Sequence, residues 1–491
     1  MLRKKSREPK AESLAAAPAR RNKAAEFILR VIDNADTESR EQRAESRKVS
    51  VGLISLGCAK NLVDSEKILG TLAGDGFLIC EDDKDAQIVI VNTCSFVAPA
   101  REESFFHIRE LCRRKESGLL WGIVIAGCMA QQEGKNLFKM FRAVDAVVSF
   151  KGYPEIGSIL RRILEGEKEL AVLGLPEKFE AETSRLLLTP PHYAYLRIAE
   201  GCDNTCTFCT IPTIKGRYRS KKPEEVLKEA RELASAGVRE LILIAQDTAA
   251  YGTDLSGCDS QDIAALLRQI NGVDGLKWIR LLYANPESVT DALVEAMATL
   301  DKVVKYIDVP IQHISDPVLR RMGRNKMRRA GIEKLIRKLR DSIPNICIRT
   351  TVIAGFPGET EEEFEELLKF LSETRFERLG AFAYSREKGT TAAKMKFLEE
   401  EVSCQRREEV MRIQQEIAFS LNQSLIGRKK RSMIDIRGSG EYPLTGRTEW
   451  DAPEIDASIF IEGTDATPGE IVTVEVTGYR DYDLTGKIVI K

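Results

Sequence analysis

The period of the hydrophobic positions changes several times along the chain, and the changes mark out its architecture. From Val49, "VSVGLISLGC" is a β-branched, apolar run ending in Gly-Cys, as a buried strand would. "NLVDSEKILGTLAGDG" then sets its apolar residues at helical spacing and closes on glycines. The alternation repeats: "AQIVIVNTC" reads as a strand, "VAPAREESFFHIRELCRRK" as a helix and "GIVIAGC" as a strand. Strands alternating with helices predict an α/β fold, here a doubly wound parallel sheet over residues 49–165. After a linker at 166–187, six more strand candidates lie at 193–199, 241–246, 277–284, 304–310, 347–355 and 378–385. Helix-like runs separate them, such as "KPEEVLKEARELASAG" and "TEEEFEELLKFLSET", the latter with a Thr N-cap and an acidic first turn. Six βα units over 188–420 predict a partial (β/α)6 barrel, short of the eight units that close one. A long helix-like stretch, "EEVSCQRREEVMRIQQEIAFSLNQSLIG", leads to residues 421–491, where period-two alternation with Gly, Pro and Asp between strands predicts a small antiparallel β-barrel.

Composition narrows the classes of function. No apolar run approaches the length of a membrane span, so no membrane partner is expected. The net charge of −1 gives no global basic field, so direct nucleic-acid binding is not expected. Residues 1–50 carry 13 Lys/Arg against 8 Asp/Glu, and 1–48 read as a disordered basic tail with no assigned role. Eleven cysteines without a secretory start favour metal ligation or free thiols over disulfides, and hence the reducing cytoplasm.

The cysteines carry the chemistry. Cys202, Cys206 and Cys209 fall in "EGCDNTCTFCTIP", on the loop after the first strand of the six-unit run, the edge where such folds build sites. Zinc sites usually take four ligands and disulfides an even number, whereas three close thiolates suit a centre with one position open. A 4Fe–4S cluster takes one cysteine per iron, so this set would leave one iron free. The other reading is a three-cysteine zinc site completed by a distant residue. Cys58, Cys94 and Cys128 each follow a strand candidate, 36 and 34 residues apart, so a parallel sheet would deliver all three to one edge. Three unrelated core cysteines are the alternative. Cys80, Cys112, Cys258, Cys347 and Cys404 show no such pattern and read as ordinary thiols.

The spacing, Phe208 and the six-unit context resemble the radical S-adenosylmethionine superfamily. Two three-cysteine sets and a terminal barrel similar to the TRAM domain resemble its methylthiotransferase family, over roughly residues 49–491. "SLGCAKNLVDSE", "AQDTAAYG", "VPIQHISDPVLRRM", "AGFPGET" and "DAPEID" point to the branch that modifies an aspartate of the twelfth protein of the small ribosomal subunit. The resemblance implies two 4Fe–4S clusters, S-adenosylmethionine on the Cys202/Cys206/Cys209 cluster, and sulfur handled at the Cys58/Cys94/Cys128 cluster. A radical from the cofactor would take hydrogen from the aspartate β-carbon before the methylthio group is added. Cofactor contacts would come from Phe208, Gln246, Asp247, Gly355, Phe356 and Gly358, with a generic strand-end polar pair the alternative for Gln246 and Asp247. No catalytic residue beyond the cluster ligands is implied. Expected partners are the basic ribosomal protein, free or on the ribosome, and a low-potential electron donor such as flavodoxin or ferredoxin.

Lys215 stands where the family more usually has Arg, with the charge kept. The alternatives are a transfer-RNA methylthiotransferase and a non-catalytic iron–sulfur scaffold. Residues 421–491 carry 9 Lys/Arg and 12 Asp/Glu, a poor grip on phosphate and a better match for a basic protein, docked on Glu449, Asp451, Glu454 and Asp456. His313 reads either as a contact to substrate or cofactor or as a packed core histidine. Arg320, Arg321, Arg324, Arg328 and Arg329 read as a solvated helix face.

Overall fold

The computed structural model describes residues 49–176, 185–255, 261–463 and 465–489; the basic tail, the middle of the linker and Cys258 lie outside the described residues. Three six-residue strands, β1 (Ser50–Ser55), β3 (Ile88–Thr93) and β4 (Gly122–Gly127), form the centre of a parallel sheet. Their apolar runs are continuous because both faces are covered: Ile88 and Ile90 enter one core cluster, Val89 and Val91 the other. Shorter strands complete the order β2-β1-β3-β4-β5-β6, with β2 at Leu78–Ile79, β5 at Ala146–Val148 and β6 at Leu170–Val172. The last of these falls in the stretch that reads as the start of the linker, and it pairs with β5. Helices α1 (Ala59–Gly74), α2 (Ala98–Glu116) and α3 (Cys128–Glu133) leave the C-terminal ends of β1, β3 and β4.

The second sheet is built from β7 (Tyr193–Arg197), β10 (Glu240–Ile244), β11 (Trp278–Leu281), β12 (Val303–Asp308), β13 (Cys347–Ala354) and β14 (Arg378–Ala383). All are parallel, in the order of the chain, and the sheet stays open. A two-stranded ribbon, β8 (Ala199–Glu200) with β9 (Arg219–Ser220), brackets the Cys202 loop and helix α4 (Ile211–Lys215). Outer helices include α5 (Pro223–Ser235), α6 (Asp316–Arg321), α7 (Glu361–Thr374) and the long α8 (Glu400–Leu425). The Thr N-cap of α7 is a full capping box, Thr360 with Glu363.

Strand alternation gives this sheet two faces. Leu241, Leu243, Ile279, Leu281 and Ile307 pack against the helices. Tyr193, Tyr195, Ile242, Ile244, Trp278, Val304, Tyr306 and Cys347 line the inner face, which the two flanking domains cover. Leu62 and Val63 of α1 cover part of it, and Met433, Trp450 and Ala452 of the terminal barrel cover another. That barrel is closed, in the order β15-β16-β17-β19-β18. Its strands are β15 (Lys429–Arg437), β16 (Leu444–Thr448), β17 (Ile459–Glu462), β18 (Ile471–Arg480) and β19 (Asp483–Ile488). The β17–β19 pairing is parallel and the others antiparallel. Among the described residues, no helix is long and apolar enough to cross a membrane.

Candidate functional site

The strand order of the first sheet reverses at β1 and β3, so the loops leaving them diverge and open a crevice at the C-terminal edge. Cys58 and Cys94 sit on those two loops, and Cys128 follows the adjoining β4. Gly57 is held at φ +87°, and a Cβ there would stand 2.7 Å from the Cys94 Cβ, so only glycine lets the two loops close up. Asn61 stitches the group together. Its Nδ2 donates to the carbonyls of Leu56 (2.7 Å) and Thr93 (3.0 Å), and its Oδ1 lies 3.9 Å from the Cys128 Sγ. Cys58 is exposed, Cys128 half-buried and Cys94 buried. Burial pushes the Cys94 and Cys128 thiols up, partly opposed at Cys128 by the nearby Lys215 cation.

Cys202, Cys206 and Cys209 follow the β7–β8 strand end, all half-buried. Gly201 has φ +79°, and a Cβ there would lie 2.1 Å from the Arg217 carbonyl oxygen, so the entry to the loop also requires glycine. The loop is tied down by Thr207, whose N–H donates to the Met322 carbonyl (3.0 Å) and whose hydroxyl donates to that of Arg321 (2.8 Å). Backbone N–H groups of Asn204 and Ile211 point at the Sγ atoms of Cys202 and Cys209, each at 3.4 Å. Burial pushes Cys209 up to about 12 and raises Cys202. Among the described residues, no three His, Cys, Asp or Glu side chains are gathered closely enough to hold a single metal ion. The donor chemistry fits a cluster instead: three thiols in each set, one on each of three neighbouring strand ends in the first and all on one loop in the second, where amides donate to sulfur.

A buried ionic group links the segments that carry the two sets. Arg197 donates to Asp64 of α1 and to Glu200, both at 2.6 Å. Lys215 lies 3.1 Å from Asp64 and 3.2 Å from Glu200, with its ammonium 3.6 Å from the centroid of the Phe150 ring. Gln246 Nε2 donates to Glu200 (3.1 Å), and its Oε1 has no partner. Burial alone would raise the Glu200 carboxyl, but Lys215, Arg197 and these hydrogen bonds hold it at about 2. Lys60, two residues after Cys58, reaches the Ala245 carbonyl beyond β10 (3.4 Å) and lies 3.4 Å from the Tyr283 ring centroid. Sequence reasoning passed over Lys60, Glu200 and the role of Lys215. The available signal was in "NLVDSE", where Asn61, Asp64, Ser65 and Glu66 are all buried although polar.

The residues nominated as cofactor contacts divide. Gln246 and Phe208 stay half-buried beside the cysteine loop, Phe208 edge-on to Phe356 at 6.2 Å. Asp247 is fully engaged elsewhere, accepting from the Asn285 N–H (3.1 Å) and the Ser288 hydroxyl (2.6 Å). Phe356 is buried against Tyr384. The space beside Gly355 is filled by Ser403 of α8, whose Oγ would be 2.2 Å from an added Cβ, while Gly358 faces the Arg321 side chain. His313 is fully buried. Its Nδ1 accepts from the Ser315 N–H (3.0 Å) and its Nε2 has no partner.

Two surface readings are corrected. The arginine run is only partly a solvated face: Arg320 and Arg328 are exposed, but Arg324 is buried, donating to Asn285 Oδ1 (2.9 Å), while Arg321 pairs with Glu363 and Arg329 with Glu333 and Glu366. The acidic "DAPEID" group is not a free docking face. Asp451 binds Arg378 (2.5 Å), Asp456 binds Tyr306 (2.7 Å) and Arg349 (3.4 Å), and Glu454 accepts from Tyr193 (3.1 Å). Glu449 pairs with Arg431 (3.0 Å). Cations and hydroxyls at the starts of the central strands had to be satisfied, and the barrel's carboxylates do it.

Three family models match the chain. "Radical SAM superfamily" covers residues 196–371, "Uncharacterized protein family UPF0004" residues 50–149 and "TRAM domain" residues 426–489. The protein named "Ribosomal protein uS12 methylthiotransferase RimO" of Pelotomaculum thermopropionicum is 45% identical over 447 residues, 90% of this chain and 100% of its own. Its namesake from Caldanaerobacter subterraneus is 46% identical over 441 residues, 89% of this chain and 99% of its own. Among solved structures, the radical S-adenosylmethionine methyltransferase TsrM from Kitasatospora setae, with tryptophan substrate and a cofactor analogue bound, aligns with a TM-score of 0.50. At 16% identity, covering 80% of this chain and 79% of that one, it speaks to the fold alone.

Proposed function

Because the chain belongs to the ribosomal protein uS12 methylthiotransferase RimO family, we propose that it methylthiolates the β-carbon of an aspartate in ribosomal protein uS12, in the cytoplasm, using two 4Fe–4S clusters. Cys202, Cys206 and Cys209 would hold the cluster that takes S-adenosylmethionine, and Cys58, Cys94 and Cys128 the second. When bound, these groups supply the electron, the radical, and the sulfur and methyl groups of the reaction, with a low-potential donor such as flavodoxin or ferredoxin as the source of electrons. The observation that carries the reading is the buried ionic group of Asp64, Arg197, Glu200 and Lys215, which ties the helix after Cys58 to the segments flanking the Cys202 loop, with Lys60 reaching from the first set into the central sheet. The transfer-RNA alternative is set aside, because relatives matching nine-tenths of the chain carry the uS12 name.

The chain's own residues then bind, orient and shield. The Asn204 and Ile211 amides stabilise thiolate sulfur on the open-iron loop. Gln246 Oε1, unpartnered beside Glu200, is available to a cofactor donor, and Phe208 offers an apolar wall. Asp64, Arg197, Glu200 and Lys215 clamp α1 to the central sheet and keep water from that side.

Anaerobically reconstituted enzyme tests the assignment. Replacing Cys202, Cys206 and Cys209 with Ala should remove roughly half the iron and all S-adenosylmethionine cleavage. Replacing Cys58, Cys94 and Cys128 should also remove roughly half the iron, yet 5′-deoxyadenosine should still form while uS12 gains no methylthio group. Full iron in the first variant, or modified uS12 from the second, would overturn the respective assignment. Mass spectrometry of uS12 from cells with and without the gene tests the substrate.

A further inference from the structure

The proposed reaction leaves one question the cysteines do not answer: how an aspartate, rather than another side chain, is held with its β-carbon in the site. Resting on the uS12 reading, we propose that Lys60 binds the side-chain carboxylate of the substrate aspartate and makes the site select that residue over a neutral one.

The cations around the site are otherwise occupied. Arg197 and Lys215 share Asp64 and Glu200; Arg280 pairs with Glu240 (2.7 Å), Arg349 with Asp456 (3.4 Å) and Arg378 with Asp451 (2.5 Å). Lys60 alone among these has no carboxylate within 4.0 Å among the described residues. Burial disfavours its charge, which Cys58, Glu200 and Asp308 support through space, but neither carboxylate forms an ion pair with it. Its ammonium carries three donors, and the Ala245 carbonyl accounts for one. The Tyr283 ring holds the cation from one side.

Its surroundings are those of a place kept for a ligand. Lys60, Gln246 and Tyr283 are only half-buried and Cys58 is exposed, although all lie where the first domain meets the inner face of the sheet. Tyr283 adopts φ +65°, an unfavourable conformation for a tyrosine, and that conformation puts its ring beneath Lys60. In aspartate the β-carbon is bonded directly to the carboxylate. A cation fixing that carboxylate near Cys58 therefore fixes the carbon to be modified.

The test pairs the full-length, iron-loaded enzyme and its K60Q and K60R variants with uS12 carrying either the natural aspartate or asparagine there. Affinity and kcat/KM are measured for each combination, and iron is counted in each enzyme. Wild type should favour the aspartate substrate by roughly ten- to a hundredfold, the range for a hydrogen bond to a charged group. K60Q should bind both substrates alike, and K60R should keep the preference. The proposal is overturned if K60Q keeps the wild-type preference, or if its effect is equal for both substrates, as a role confined to the Cys58 cluster would give. Should K60Q lose iron, the substrate exchange on wild type still decides, since no preference for aspartate there overturns the proposal. Failure of the uS12 reading looks different: wild type itself would modify neither substrate.

Discussion

Lys215 follows the cysteine loop by six residues, and its removal gives a demanding test of how the two sheets are joined. Its side chain is 4% exposed and lies between Asp64 and Glu200, with Arg197 as the only other cation of the group. The four charges sum to zero. K215M leaves two buried carboxylates sharing one guanidinium, a change that typically costs about 3–5 kcal/mol. Glu200 gives a second route to the size of the effect. Held at about 2 against an ordinary 4.5, it contributes about 3 kcal/mol at neutral pH. A depressed carboxylate gives that stability above pH 4.5 and loses it as the pH falls towards 2. Without Lys215, burial is opposed by Arg197 and Gln246 only, so the carboxyl rises and the contribution shrinks already at neutral pH. Anaerobic urea unfolding of the iron-loaded enzyme at pH 7 should show K215M destabilised by about 3–5 kcal/mol. K215R should lose clearly less, and adding D64N to K215M should recover part of the loss by restoring neutrality. A K215M enzyme within about 0.5 kcal/mol of wild type, or a double variant with no recovery, would refute the reasoning.

D451N should loosen the terminal barrel from the central sheet, since Arg378 would keep its charge without a carboxylate; a loss of roughly 3 kcal/mol in thermal or urea unfolding is expected. If D451N weakens uS12 binding with stability unchanged, Asp451 belongs to a docking face after all. His313 is held down to about 3 by burial, then by Arg321 and Arg406, so it stays neutral when folded and takes a proton when unfolded below about pH 6.5. Folded stability should therefore fall by about 1.4 kcal/mol per pH unit as the pH drops below 6.5, and H313Q should remove that part of the slope. Equal slopes for the two proteins between pH 7.5 and 5.5 would show that His313 is not the group responsible.

The long strands were legible because continuous β-branched runs have few other folded uses; β2, β5 and β6, at two or three residues, leave no period to read. The cysteines were legible through position, each set sharing a relation to strand ends. The ionic group was not. Arg197 and Asp64 are 133 residues apart, Lys215 and Asp64 151, and Arg447 and Glu240 207. No local pattern links such partners, and each alone looks like a surface charge. The glycines of "AGFPGET" show a related limit of a local pattern. A glycine needed for close approach does not say what approaches, and at Gly355 it is Ser403.

Arg280 and Glu240 are fully buried on the inner face of an open sheet, and Arg447 of the terminal barrel completes their pairing at 2.7 Å from Glu240. Had these charges been met from within their own segment, the barrel could be trimmed away like an accessory. As built, cutting it off would wet Trp278, Tyr306 and Cys347 and leave Glu240 short of a cation. Boundaries read along the sequence therefore need not be boundaries of cooperative unfolding. Hydrogen exchange should find the amides of β10, β11 and β16 opening together, and a protease nick between the central segment and the barrel should leave the pieces associated.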